Sequence, residues 1–453
     1  MSLELTVRIS KSDMLKHFFI CGASGSGKSV LMQSMFYDQI RTSAKREHSQ
    51  ILIEPHGDFS GKIAFARIID KERLVFISSG NTINRDAHTE GITGIFNPFL
   101  NDGSEEMRYC LTHELTNAIA ELLESSQHAT QFGITVQMAT LLSPAIAVTL
   151  ASPEPSIHTL KRLFMEDENE DLLQIAKHLH PQIRDFFAKQ WASEKFKVSK
   201  ASILTKLTYF LNDIHLYNMM MYVPPKGPSL EQHINSGSII IFHCPKGAGG
   251  FISHFVGRLA VAYVLAVIMR REAVPAHKRL PVFMYIDEAQ VYASSSLTTS
   301  LQEARKYKLG VVLATQNIKS FELKIRQAIM TNTYTKAISM SDADSRATFA
   351  REMDIDTEKL QLEPLHFVLK RMDTSSPFRF KVKFLSDHLF LNGKEKQDLY
   401  KYLIERSGFY TKVPDPPPPS PPRNEIGSKG NNERKTKKQK DDNPFDGNMP
   451  AFN

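Results

Sequence analysis

Gly22-Ala23-Ser24-Gly25-Ser26-Gly27-Lys28-Ser29 places three glycines, a lysine and a terminal hydroxyl within eight positions. Glycine lets the backbone curl until successive N–H groups point at one spot, which is how a peptide loop holds phosphate oxygens. An apolar run, Phe18-Phe19-Ile20-Cys21, precedes the loop, and helix-compatible residues from Val30 to Met35 follow it. This is the strand–loop–helix setting in which the pattern G-x-x-x-x-G-K-[ST] binds a nucleoside triphosphate. The partial positive charge at the helix start adds to the attraction. The expected phosphate contacts run from Gly22 through Ala23, Ser24, Gly25, Ser26, Gly27, Lys28 and Ser29 to Val30. Lys28 reaches the β- and γ-phosphates, and the Ser29 hydroxyl ligates Mg²⁺.

A second segment supplies carboxylates. Pro281-Val282-Phe283-Met284-Tyr285-Ile286 is a buried-strand run that ends in Asp287-Glu288. Asp287 is expected to hold Mg²⁺, and Glu288 to polarise the attacking water as general base. A third apolar run, Gly310 to Ala314, ends in Thr315-Gln316. Gln316 there can sense the γ-phosphate or orient water. ATP and Mg²⁺ are therefore the expected cofactors, and ATP hydrolysis the expected reaction.

Several strands must bring these groups to one edge. Besides the three above, Gln50 to Ile53, Arg73 to Ser78 and Gly237 to His243 read as strands. Between them, from about Ser104 to Tyr217, the pattern turns helical. His113 to Leu123, Gln131 to Leu150 and Thr159 to Leu179 carry apolar residues at helical spacing, Ser156 is a candidate cap, and Pro181 opens a new segment. The expected fold is α/β. A RecA-like phosphate-loop sheet carries helices on both faces and is interrupted by an all-α insertion. The domains are then 1–103 and 218–412 for nucleotide binding, 104–217 for the insertion, and 413–453 as a disordered tail. That tail has four consecutive prolines from Pro416 to Pro419 and a basic run from Arg434 to Lys440.

The 453 residues, 42% of them hydrophobic, suffice for a large core. No transmembrane helix is read. Phe255 to Met269 is apolar but carries Arg258, and reads as a buried helix. No secretory signal precedes the phosphate loop. The three cysteines are far apart, so neither a zinc site nor a disulfide framework is expected, and a reducing cytoplasm fits. A net charge of +7 permits a nucleic-acid partner without requiring one. Lys195, Lys197, Lys200 and Lys206 lie among Trp191 and Phe196. That mixture suits a DNA backbone, and suits equally a surface helix with an aromatic core contact.

The motifs occur in a fixed order: Gly22 to Ser29, Glu54-Pro55-His56-Gly57-Asp58, Phe96-Asn97-Pro98-Phe99, Ile286-Asp287-Glu288-Ala289-Gln290, Glu303-Ala304-Arg305-Lys306-Tyr307, and Leu313-Ala314-Thr315-Gln316. That order resembles the FtsK/HerA superfamily of ring-forming DNA-pumping ATPases. With its helical insertion, the chain is most similar to conjugative coupling proteins of the TraG/TraD type, over about residues 1 to 385. Glu54 stands where the family pattern has Asp, and the membrane anchor that many coupling proteins carry is not seen. The resemblance implies a homohexamer with DNA in its channel and ATP sites between subunits. A relaxase and type IV secretion channel proteins become candidate partners. The implied location is cytoplasmic, or peripheral at the inner membrane through those partners. An inter-subunit site needs a cation from the neighbour. Arg305 is the first candidate, with Arg326 and Arg346 behind it. The implied function is an ATP-dependent DNA-translocating motor. The alternatives are a HerA-like DNA end-processing motor and a type IV secretion ATPase acting on protein.

Overall fold

In a computed structural model, residues 9–42, 46–78, 91–124, 136–223, 227–243 and 250–413 are described. Residues 414–453 of the expected tail, Cys244 and the start of the helix expected from Gln131 lie outside them, whereas Val413, expected to open the tail, is described and its N–H donates to the Gly91 carbonyl. Contacts gather residues 1–413 into one compact unit. Its strands are β1 (Phe18–Cys21), β2 (Ser49–Glu54), β3 (Leu74–Ser78), β4 (Ile92–Gly94), β5 (Ile239–His243), β6 (Val282–Ile286), β7 (Leu309–Thr315), β8 (Thr335–Ile338), β9 (His366–Arg371), β10 (Phe378–Lys381) and β11 (Tyr410–Lys412). Nine form one sheet in the order β10-β9-β8-β1-β7-β6-β2-β5-β3, and β4 pairs with β11 apart from it. The seven strands from β8 to β3 are parallel, whereas β9 and β10 run antiparallel at one edge. The sequence reading had not found that hairpin.

Parallel strands need crossovers, and helices supply them. Short α1 (Lys11–Met14) precedes β1, and α2 (Lys28–Arg41) and α3 (Asp58–Ile63) follow β1 and β2. Between β4 and β5 come α4 (Glu105–Glu124), α5 (Val136–Ala151), α6 (Ile157–Leu163), α7 (Glu170–Ala176), α8 (Pro181–Lys189), α9 (Lys197–Leu211), α10 (Ile214–Met221) and α11 (Leu230–Asn235). Then come α12 (Gly250–Met269), α13 (Ser295–Glu303), α14 (Leu323–Asn332), α15 (Ala343–Met353) and α16 (Gly393–Arg406). The helix expected from Thr159 to Leu179 is two, α6 and α7, and the Ser156 hydroxyl caps the first by accepting from Thr159 N.

Alternate strand residues face opposite ways, so the sheet feeds two cores. Phe19, Ile51, Ile53, Ile240, Met284 and Val311 pack beneath α4, α5, α12, α13 and α15. Phe18, Ile20, Leu52, Ile241, Tyr285 and Val312 pack against α2, α3 and α16. The apolar stretch Ile252–Ala273 is long enough to cross a membrane by length and composition, longer than the sequence reading allowed; 83% of an apolar 18-residue segment within it is buried inside the fold. It contributes the central helix of the first core. Asn97 ties the helical segment down: its Nδ2 donates to the Pro155 carbonyl at 2.7 Å, and its Oδ1 accepts from Phe99 N at 3.1 Å. Glu114 of α4 takes a buried 2.6 Å hydrogen bond from the Ser296 hydroxyl of α13.

Candidate active site

The sheet order builds the site. β7 lies between β1 and β6, so the phosphate loop, Thr315-Gln316 and Asp287-Glu288 emerge side by side at the carboxyl ends of three adjacent strands. The loop turns through Gly25 and Gly27, both at positive φ (74° and 100°), and Gly27 caps α2. A Cβ on Gly22 would lie 2.5 Å from Ser26 Oγ and 3.2 Å from the Cβ atoms of Ser26 and Ser339, so a larger residue there would crowd the closed loop. Lys28 is 5% exposed, and its ammonium donates to the Ala23 carbonyl at 3.2 Å.

Ser29 and Asp287 meet across the site. The Ser29 hydroxyl donates to Asp287 Oδ2 at 2.7 Å, and Glu288 N donates to Oδ1 at 2.9 Å. Burial pushes the Asp287 carboxyl up; the Ser29 hydrogen bond opposes this, and the Glu288 charge adds to the rise. A cation here would relieve that crowding. A hydroxyl beside a carboxylate is also the oxygen-donor pair that Mg²⁺ takes. The donor set therefore fits Mg²⁺ with a polyphosphate.

Glu288 sits at φ 49°, in the left-handed region, where a non-glycine residue is strained. That turn holds its carboxylate between two amides. Gln316 Nε2 donates to Oε1 at 2.7 Å and Gln290 Nε2 to Oε2 at 2.5 Å. Thr315 Oγ1 donates to Gln290 Oε1 at 2.8 Å, fixing which way that amide faces. Gln316 thus lies beside the candidate base, while Gln290, to which the sequence reading gave no role, completes the clamp. Its signal was the position two residues past Glu288.

Glu54 stands next along the edge, since Asp287 N donates to the Ile53 carbonyl at 3.1 Å. Its carboxylate accepts from His56 N and Ser60 N, each at 3.0 Å, and from Ser60 Oγ at 2.7 Å. Burial raises its carboxyl, and the Asp287 charge adds to the rise. These bonds cap the turn into α3.

Arg305 lies elsewhere. It is exposed on a 3-10 turn, Ala304–Tyr307, just before β7. Seven strand residues separate that end from Gln316, roughly 20 Å at about 3.3 Å per residue. Arg305 could meet a nucleotide only across a subunit boundary. Arg326 is half-buried on α14; Arg346, on α15, donates to the Ser341 carbonyl in the turn after β8.

Packing also decides the basic–aromatic cluster. Trp191 is 5% exposed and its ring packs on Phe187, Phe164 and Phe186; Phe196 is buried as well. Lys200 covers the Trp191 ring at 5.3 Å, and Lys197 pairs with Glu194. These rings are core contacts and not a stacking platform for bases.

Comparison with known proteins agrees with this architecture. The bacterial conjugative coupling protein TrwBdeltaN70 in an unbound form superposes with TM-score 0.57 and 16% identity, covering 84% of this chain and 89% of that one. Plasmid coupling protein TrwB in complex with ADP and Mg²⁺ gives TM-score 0.57 at 16% identity, over 87% and 91%. VirB4 of Thermoanaerobacter pseudethanolicus gives 0.50 at 12% identity, over 82% and 90%. No curated protein matches the sequence. The model of the type IV secretion-system coupling protein DNA-binding domain matches residues 5–356. The chain belongs to that family of type IV secretion-system coupling proteins.

Proposed function

We propose that this protein is an ATP-dependent DNA-translocating motor of the conjugative coupling type. It works as a homohexameric ring with its ATP sites between subunits. The observation that carries the reading is the carboxylate pair beside the phosphate loop: Asp287 bonded to Ser29, and Glu288 gripped by Gln316 and Gln290. A protein that only bound nucleotide would need no second, oriented carboxylate. That TrwB has been obtained with ADP and Mg²⁺ and with non-hydrolysable analogues supports nucleotide binding by this chain.

Bound Mg²⁺–ATP supplies the electrophilic phosphorus and the leaving group. The chain's residues do the rest. Backbone N–H groups from Gly25 to Val30 and the Lys28 ammonium hold the phosphate oxygens, while Ser29 and Asp287 hold the metal. Glu288 accepts the proton of the attacking water, and its two amides keep the carboxylate aimed. Arg305 of a neighbouring subunit supplies the trans cation. Residues 1–103 and 218–412 form the motor domain, 104–217 the insertion and 413–453 an appended tail. A relaxase and secretion-channel proteins are its proposed partners, with the ring in the cytoplasm or held peripherally at the inner membrane by them.

A second reading of the same site is a type IV secretion ATPase acting on protein. DNA separates the two. A translocase couples turnover to its track, so ATPase activity at low salt should rise several-fold on adding DNA. DNA affinity should fall steeply with salt as counterions are released. Equal turnover with and without single- and double-stranded DNA would favour the second reading.

A further inference from the structure

The peptide between Ser26 and Gly27 is held from behind by residues distant in sequence. The Ser26 carbonyl accepts from Leu365 N at 2.8 Å and lies 3.1 Å from the Ser339 hydroxyl. That hydroxyl shares its one proton between the Ser26 carbonyl and the His366 carbonyl at 2.7 Å, a three-centre bond that ties the loop to the first residue of β9. Leu365 itself sits at φ 66°, in the left-handed region that a leucine rarely adopts. Its carbonyl accepts from Val382 N at 2.9 Å, just past β10. Its side chain covers the loop, with Cδ2 2.8 Å from where a Cβ on Gly27 would be.

In a trans peptide the C=O and N–H point in opposite directions, and the described residues contain no cis bond. Fixing the Ser26 carbonyl toward Leu365 and Ser339 therefore turns the Gly27 N–H the other way, into the concavity of the loop. We propose that Leu365 and Ser339 are positioning residues for phosphate binding. They brace the Ser26–Gly27 peptide so that its N–H is aimed at a phosphate oxygen before the nucleotide arrives. The strain at Leu365 persists because Val382 and Ser26 hold its backbone on both sides. Preorganised donors of this kind spare the loop a reorganisation on binding. The brace rests on the phosphate-loop reading above, and assigns it two supports from the far side of β1.

The test uses inorganic pyrophosphate, which engages the loop without a base or ribose. Pyrophosphate is titrated calorimetrically into the parent, Ser339→Ala and Leu365→Gly, and ATP turnover is measured alongside. Leu365→Gly keeps the N–H and tolerates the positive φ, but frees the backbone and uncovers Gly27. The expected result is pyrophosphate binding weakened roughly three- to tenfold in each variant, with melting temperatures near the parent's. KM for ATP should rise by a similar factor and kcat should stay nearly unchanged, since these N–H contacts exist in ground and transition states alike. A parent that binds pyrophosphate with variants that bind it equally well overturns the brace alone. So does a fall in kcat and melting temperature with KM unmoved, which marks a purely structural role. A parent that does not bind pyrophosphate overturns the phosphate-loop reading and the brace with it.

Discussion

Glu288→Gln removes one negative charge with almost no change in volume, and the structure sets opposing effects on its outcome. In the parent, each carboxylate oxygen takes one amide N–H, from Gln316 and from Gln290. A glutamine has a single acceptor oxygen, so one of those amides would face an NH₂ group and must turn. Losing a hydrogen bond to a charged acceptor costs about 1.5–3 kcal/mol. The substitution also removes the repulsion that helps push the Asp287 carboxyl up. Two like charges repel by about 4 kcal/mol at about 4 Å and an effective dielectric constant near 20, and by less at greater separation or where water reaches them, so this gain is at most comparable with the hydrogen-bond loss. The two effects largely cancel, so the nucleotide-free variant should melt within a few degrees of the parent. Its chemistry should not survive. Loss of a positioned general base lowers turnover by about 10²–10⁴, or about 3–5 kcal/mol of barrier. Phosphate release under saturating Mg²⁺–ATP measures the first quantity, scanning calorimetry the second, and ADP titration checks that the loop still binds. Turnover within twofold of the parent would show that Glu288 is not the base. A melting temperature lower by ten degrees or more would refute the charge balance.

Three further outcomes are expected. Lys28→Ala removes the ammonium proposed to hold the phosphates, and hydrolysis should fall at least about a hundredfold; near-normal turnover in the purified variant would sink the assignment. Burial pushes His17, His48, His233 and His243 down to about 4. They stay neutral in the fold while the unfolded chain takes up protons near pH 6.5, so stability is complete above that pH and is lost as pH falls toward 4. Each histidine contributes up to about 1.4 kcal/mol per pH unit in that window, and a melting temperature constant from pH 7.5 to 5 would contradict this. Removing residues 414–453 should leave melting temperature and basal ATPase nearly unchanged, and comparison of the two proteins for DNA affinity at low salt then tests the basic run as a tether; a large loss of melting temperature would mean the segment packs on the body.

What could be read from the sequence, and what could not, follows from how each group is positioned. The expected phosphate cradle consists of consecutive N–H groups, so its composition and turn are written in Gly22 to Ser29. Asp287 and Glu288 were legible because a strand running into adjacent carboxylates is itself a local pattern. Gln290 lies in the same stretch, yet its role depends on the left-handed turn at Glu288 and on Thr315 from β7, and neither shows in local periodicity. The order of β1, β7 and β6 likewise comes from crossovers, and crossovers leave no mark on strand composition. Trp191 and Phe196 illustrate the opposite case. Aromatics among lysines look the same on a nucleic-acid platform and on a helix whose rings face inward, and only the packing of Phe164, Phe186 and Phe187 decides between them. Leu365 is the extreme. Nothing in its residue type marks it, because what acts is its backbone N–H, brought to Ser26 by the hairpin of β9 and β10. A motif search finds the groups expected to touch phosphate; the groups proposed to aim them are found by asking where each loop carbonyl goes.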